Sequence, residues 1–78
     1  VPIRDEAIFT RMVRTMFTQR RKTLGNALKP FAAGMPVSAE RALAEAGIDG
    51  RRRPETLQLV EMARVADVFA DAAGPAVL

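Results

Sequence analysis

An all-α fold is predicted by three features of this 78-residue sequence. Apolar residues recur at three- and four-residue intervals in four separate stretches. Capping residues flank those stretches, and no alternating strand pattern occurs anywhere. Short connections between the stretches favour a small bundle of four helices, arranged as two helical hairpins.

The first helix is expected from about Asp5 to Phe17. Asp5 is a good N-cap, and Glu6 in the first turn suits the helix dipole. Phe9, Met12, Val13, Met16 and Phe17 form its apolar stripe, with Arg11 and Arg14 side by side off that stripe. The second helix is expected from Thr18 or Gln19 to Lys29, ending before Pro30 because a residue preceding proline avoids the α region. Leu24, Ala27, Leu28 and Phe31 face the core, while Lys22, Asn26 and Lys29 lie opposite, with Arg21 beside them. Gly34-Met35-Pro36 makes a turn. The third helix spans Ser38 to Ala46, capped by Ser38 and closed by Gly47, with Ile48 folding back on Leu43. Asp49 to Glu55 reads as a polar loop. The fourth helix is expected from about Leu59 to Ala72, stopping at Gly74-Pro75, with Leu59, Met62, Ala63, Ala66, Phe69 and Ala70 as its stripe. Gln58 is a weak cap, so the start of this helix is expected to fray.

The length allows one domain at most, and so short a chain is usually marginal in stability. It has no Cys and no His, which removes disulfides, thiolate ligands, the commonest metal ligand and the usual general base. The absence of Cys fits a reducing compartment. No stretch reaches the ~18 apolar residues needed to cross a bilayer, and no secretory signal is visible. A start at Val1 rather than Met reads as a cut fragment or processed product.

The net charge of +3 conceals an asymmetry. Residues 1–30 carry seven basic and two acidic groups, whereas residues 31–50 carry one basic and three acidic. From Arg11 to Lys29 six basic groups occur without an acid: Arg11, Arg14, Arg20, Arg21, Lys22 and Lys29. A one-sided block of this kind points to a polyanion partner, against the plainer reading of a solvated helix face. Ten of the twelve basic residues are Arg, which can fork onto phosphate, but fourteen Ala accompany them and the excess can reflect codon usage.

An enzyme should show a nucleophile, a base or a metal site. Here the hydroxyls have no His partner, no two carboxylates share an apolar face, and no glycine-rich phosphate loop is present. Catalysis by these residues alone is therefore not expected. Nucleic-acid binding has positive support. With no Trp or Tyr, and with Phe9, Phe17, Phe31 and Phe69 all on apolar stripes, base stacking is not expected, and phosphate and shape recognition of folded RNA remains. A DNA-reading helix presenting Lys22, Asn26 and Lys29 stays open on these grounds.

The stretch Phe17-Thr18-Gln19-Arg20-Arg21-Lys22-Thr23-Leu24-Gly25-Asn26-Ala27-Leu28 resembles a signature of the rRNA adenine dimethyltransferases, Phe-x-Gln-Arg-Arg-Lys-x-Leu-x-Asn-x-Leu. Gly47-Ile48-Asp49 followed by Arg53-Pro54-Glu55-x-Leu57 resembles a second family motif. The resemblance covers nearly the whole chain. It implies a two-domain, S-adenosylmethionine-dependent enzyme of ribosome biogenesis in the cytoplasm, which dimethylates N6 of two adjacent adenines near the 3′ end of small-subunit rRNA. The cofactor would bind a missing N-terminal domain, with none in this fragment.

On this reading residues 1–4 end a linker from the catalytic domain, 5–73 form the C-terminal rRNA-docking domain, and 74–78 are a tail. The implied partners are small-subunit rRNA, the maturing small ribosomal subunit and the chain's own catalytic domain, with no membrane. Candidate RNA-binding residues are Arg11, Arg14, Arg20, Arg21, Lys22, Asn26, Lys29, Arg51, Arg52 and Arg53. Gly25 stands where relatives often carry a basic residue, which implies either a weaker RNA face or a closer backbone approach to phosphate. The alternatives are a structural module that buttresses the catalytic domain and a DNA-binding helical domain.

Overall fold

Helix α1, Glu6–Thr18, starts where Asp5, in extended backbone, accepts a hydrogen bond from the Ile8 amide at 3.1 Å. The carboxylate thereby satisfies one of the amides that a helix start leaves unpaired. The computed structural model describes residues 3–74; Val1, Pro2, Pro75 and the rest of the expected tail lie outside the described residues. The buried row of α1 is Ile8, Met12 and Met16. The expected stripe is therefore rotated by one position: Phe9 and Val13 pack at the edge of the core, and Phe17 is left 36% exposed.

The largest departure from expectation lies between residues 19 and 33. No helix begins at Gln19. Residues 19–22 form turns, with the Gln19 amide donating to the Met16 carbonyl and the Lys22 amide to the Gln19 carbonyl. Helix α2, Leu24–Ala27, starts only after Thr23, and α3, Lys29–Ala32, follows directly. The amides of Leu24 and Gly25 donate to the Arg52 and Gly50 carbonyls at 2.7 and 3.0 Å. A distant loop thus fixes where α2 begins. Pro30 does not end the helical segment. It falls in the first turn of α3, where its missing N–H costs little, and it breaks the ladder behind it. One expected helix becomes two single turns, and the bundle has five helices rather than four among the described residues.

Helix α4, Ala39–Ala46, follows expectation closely. The Ser38 hydroxyl accepts from the Arg41 amide, and Gly47 adopts the left-handed conformation at φ 74°. The Ile48 amide returns to the Leu43 carbonyl and that of Gly47 to Ala44, the pairing of a Schellman turn. A 3-10 turn, Pro54–Thr56, then leads to α5, Leu59–Ala73. The start of α5 is pinned rather than frayed. Glu61 reaches back to accept from the Gln58 amide at 2.9 Å, as in a capping box, and is itself gripped by Arg52. The buried face of α5 is turned toward Val65, Ala66 and Phe69, so Leu59, expected on the stripe, is 53% exposed.

Helices α1 and α4 both pack on α5. The rings of Phe31 and Phe69 meet edge to face with centroids 5.0 Å apart, closing the core between α3 and α5. Among the described residues no polar or charged residue is buried. Arg4, in the expected linker, is tied to α5: its amide donates to Asp67 and its guanidinium pairs with Asp71.

Candidate nucleic-acid interface

The candidate interface follows from the way the chain turns after α1. Residues 19–22 carry Arg20, Arg21 and Lys22 outward as exposed side chains, since the turns there bury no face. Thr23 then enters α2 in extended backbone, and its hydroxyl accepts from the Asn26 amide group at 3.2 Å. Because the Leu24 and Gly25 amides hold the 50–52 backbone alongside, Arg53 is brought next to Arg21, and its guanidinium donates to the Arg21 carbonyl. Two segments far apart in sequence, with Arg21 and Arg53 separated by 32 residues, thereby form one open groove of about 710 Å³. Arg21, Lys22, Asn26, Lys29 and Arg53 line it, together with Thr23 and Pro30, which sequence reasoning did not single out.

No carboxylate lines this groove. Among the described residues Arg20, Arg21, Lys22, Lys29 and Arg53 form no salt bridge. Four cations around one concavity, without local neutralisation, attract a polyanion, and the guanidiniums can each fork onto a phosphate. A second, smaller hollow of about 320 Å³ adjoins the groove, sharing Arg21 and Lys22 as a rim and adding Phe17, Thr18, Gln19 and Arg20.

The remaining candidates are placed elsewhere. Arg11 lies over the Phe31 ring, 5.7 Å from its centroid, in a cation–π contact on the α1 surface. Arg14 is exposed on α1 and lines neither concavity. Arg51 is held by Asp49 through two hydrogen bonds, at 3.2 and 3.0 Å, and that contact keeps the Asp49 carboxyl below its ordinary range.

Arg52 is committed most fully. It donates to both Glu61 carboxylate oxygens at 2.7 and 3.1 Å and to the Thr56 hydroxyl and carbonyl. Its side chain is 34% exposed and that of Glu61 18%. The Arg52 guanidinium, helped by the Gln58 amide, lowers the Glu61 pKa to about 2. Arg52 thus joins the loop to the start of α5, a role visible only when residues nine apart in sequence are brought together.

Gly25 does not offer its backbone to a ligand, because its amide is already bonded to Gly50. A Cβ added there would meet nothing nearer than the Gly50 carbonyl at 3.7 Å, an ordinary contact. Among the described residues no group of His, Cys, Asp and Glu could hold a metal ion, and no helix is long and apolar enough to cross a membrane.

No family model matches the chain. Curated relatives do. It is 43% identical over 75 residues to ribosomal RNA small subunit methyltransferase A of Pseudomonas fluorescens, an alignment covering 96% of this chain and 26% of that protein. Against the protein of the same name from Pelotomaculum thermopropionicum identity is 47% over 77 residues, covering 95% and 25%. Against that of Geobacter sulfurreducens it is 50% over 64 residues, covering 81% and 23%. The chain therefore spans about a quarter of the length of the curated relatives it matches. With nearly all of its residues aligned at this identity to the C-terminal part of these proteins, the chain belongs to the ribosomal RNA small subunit methyltransferase A family.

Proposed function

We propose that this chain is the RNA-docking domain of a small-subunit rRNA adenine N6,N6-dimethyltransferase that acts in the cytoplasm on the maturing small ribosomal subunit. The observation that carries this reading is the acid-free groove built from Arg21, Lys22, Lys29 and Arg53, with Arg20 on its margin. Phosphate contacts made there position a protein on folded RNA without reading its sequence. Binding energy of this kind serves catalysis by orientation: the target adenines are held near a reactive centre that the docking domain does not itself contain.

The described residues do not fit S-adenosylmethionine. They contain no strand and hence no strand–turn–helix crevice of the dinucleotide-binding type, and the groove is lined by cations rather than by a carboxylate that could hold a ribose. On this reading the cofactor and the methyl transfer belong to an N-terminal catalytic domain.

The test is fluorescence-anisotropy titration of the chain against a small-subunit rRNA 3′-end hairpin and against duplex DNA of equal charge, across a salt series. The expected result is tighter binding to the RNA, with log–log salt slopes of about −0.7 to −0.9 per phosphate neutralised. A flat salt response, or no binding by a chain that circular dichroism shows to be folded, would overturn the docking role and leave a module that buttresses the catalytic domain. Tighter binding to the DNA would turn the reading to a DNA-binding domain.

A further inference from the structure

Phe17 breaks the pattern of its own helix. Phe9, Val13 and Phe17 form one row on α1, spaced by four residues, and the first two pack against the core. Phe17 does not: it is the one exposed aromatic among the described residues. Isolated apolar side chains on a surface are ordinary and by themselves mean nothing. The setting of Phe17 is different. It borders the hollow of about 320 Å³ after α1, and the other residues there are Thr18, Gln19, Arg20, Arg21 and Lys22.

A half-exposed aromatic side chain beside three cations and a side-chain amide matches what an unpaired nucleotide needs: a ring to stack on, cations for the flanking phosphates, and a donor and acceptor for a base edge. The size of the hollow is at the small end of ligand pockets, as suits a single base rather than a duplex groove. Arg21 and Lys22 are shared with the larger groove, so a backbone running along that groove passes the hollow's rim.

We infer that the hollow beside Phe17 is a subsite for one unpaired RNA base, stacked on the Phe17 ring, with Gln19 facing its edge and Arg20 to Lys22 holding the adjoining phosphates. This deepens the docking reading and rests on it. The RNA taken by this domain then carries a bulged or looped-out nucleotide at the contact. Phosphate and shape alone are not the whole of its recognition, as the sequence had implied when it placed all four Phe in the core.

The chain has no Trp and no Tyr, so a single Trp introduced at position 17 reports on that site alone. The wild type, Phe17→Ala and Phe17→Trp are titrated with two RNAs of equal charge, one fully paired and one interrupted by a bulge. Phe17→Ala is expected to weaken bulged-RNA binding about tenfold while changing duplex binding less than about twofold. Phe17→Trp keeps the preference, and its emission is quenched by the bulged RNA at saturation. Equal weakening on both RNAs, no weakening on either, or unchanged Trp emission with bulged RNA bound would overturn the subsite and leave Phe17 as a structural or interdomain residue. Wild-type chain that binds neither RNA would overturn the docking reading itself. Wild-type binding to both with an indifferent Phe17→Ala removes only the base subsite.

Discussion

Arg20-Arg21-Lys22 and Arg51-Arg52-Arg53 are two runs of three cations, nearly interchangeable in composition, yet the fold gives them different surroundings. In the second run, Asp49 holds Arg51, Glu61 and Thr56 hold Arg52, and only Arg53 leaves the loop to join the groove. In the first run no carboxylate is in reach among the described residues, and all three side chains are exposed. What separates them is their neighbours. Arg52, committed to Glu61 across two elements, ties them together, whereas a cation whose donors face water is available to a phosphate. The cation run is thus divided by packing, and each half of the comparison can be perturbed separately.

The largest effect removes what both regions rest on. Phe69 is fully excluded from solvent and packs edge to face on Phe31, which anchors α3 behind the groove. Phe69→Ala is expected to cost about 3–5 kcal/mol, enough to unfold most of so small a domain. Thermal melts followed by circular dichroism measure this, and both cation runs should lose their order together.

The contrast between regions was only partly legible in the sequence. The all-α class, the limits of α1, α4 and α5, and the cap pair Ser38 and Gly47 were readable because each depends on residues a few positions apart. The segment from Gln19 to Ala33 was not, because its helix start is set by the carbonyls of Gly50 and Arg52, contacts that local propensity does not encode. The basic block itself was visible as composition. That Arg53 belongs to it and Arg52 does not depends on Glu61 in another helix. Thr23 and Pro30 gave no signal of their own beyond their position among the cations.

Arg52 and Glu61 provide the next test. With the Glu61 carboxyl held at about 2, against an ordinary 4.5, its charge stabilises the fold. The folded-state value is depressed, so this contribution is complete above about pH 4.5 and is lost as pH falls toward about 2. Glu61→Gln is expected to lower the melting temperature by several degrees at neutral pH and to flatten the acid limb of the stability profile. Scanning calorimetry from neutral to acid pH would show it, and an unchanged acid limb would mean that the Arg52 clamp does not hold the loop to α5.

Gly25 lies where the loop and the groove meet. Its backbone is helical, and a Cβ has room there. Gly25→Ala is expected to raise stability by about 0.4–1 kcal/mol through the unfolded chain, measured by denaturant midpoint, without altering RNA affinity. The smallest effect is expected for Arg51→Ala, since the Arg51–Asp49 pair is well exposed. Its melting temperature should match the wild type within error. A clear fall would show that this exposed pair also holds the loop.

The most direct test of the central claim is the salt dependence of RNA affinity for the wild type and for Arg20→Ala/Arg21→Ala/Lys22→Ala, with Arg51→Ala beside them. The triple variant is expected to melt as the wild type does while its log–log slope becomes shallower by about 2 to 3, and Arg51→Ala to leave the slope unchanged. A folded triple variant with the wild-type slope would contradict the docking role, and the three cations after α1 would then be solvated surface.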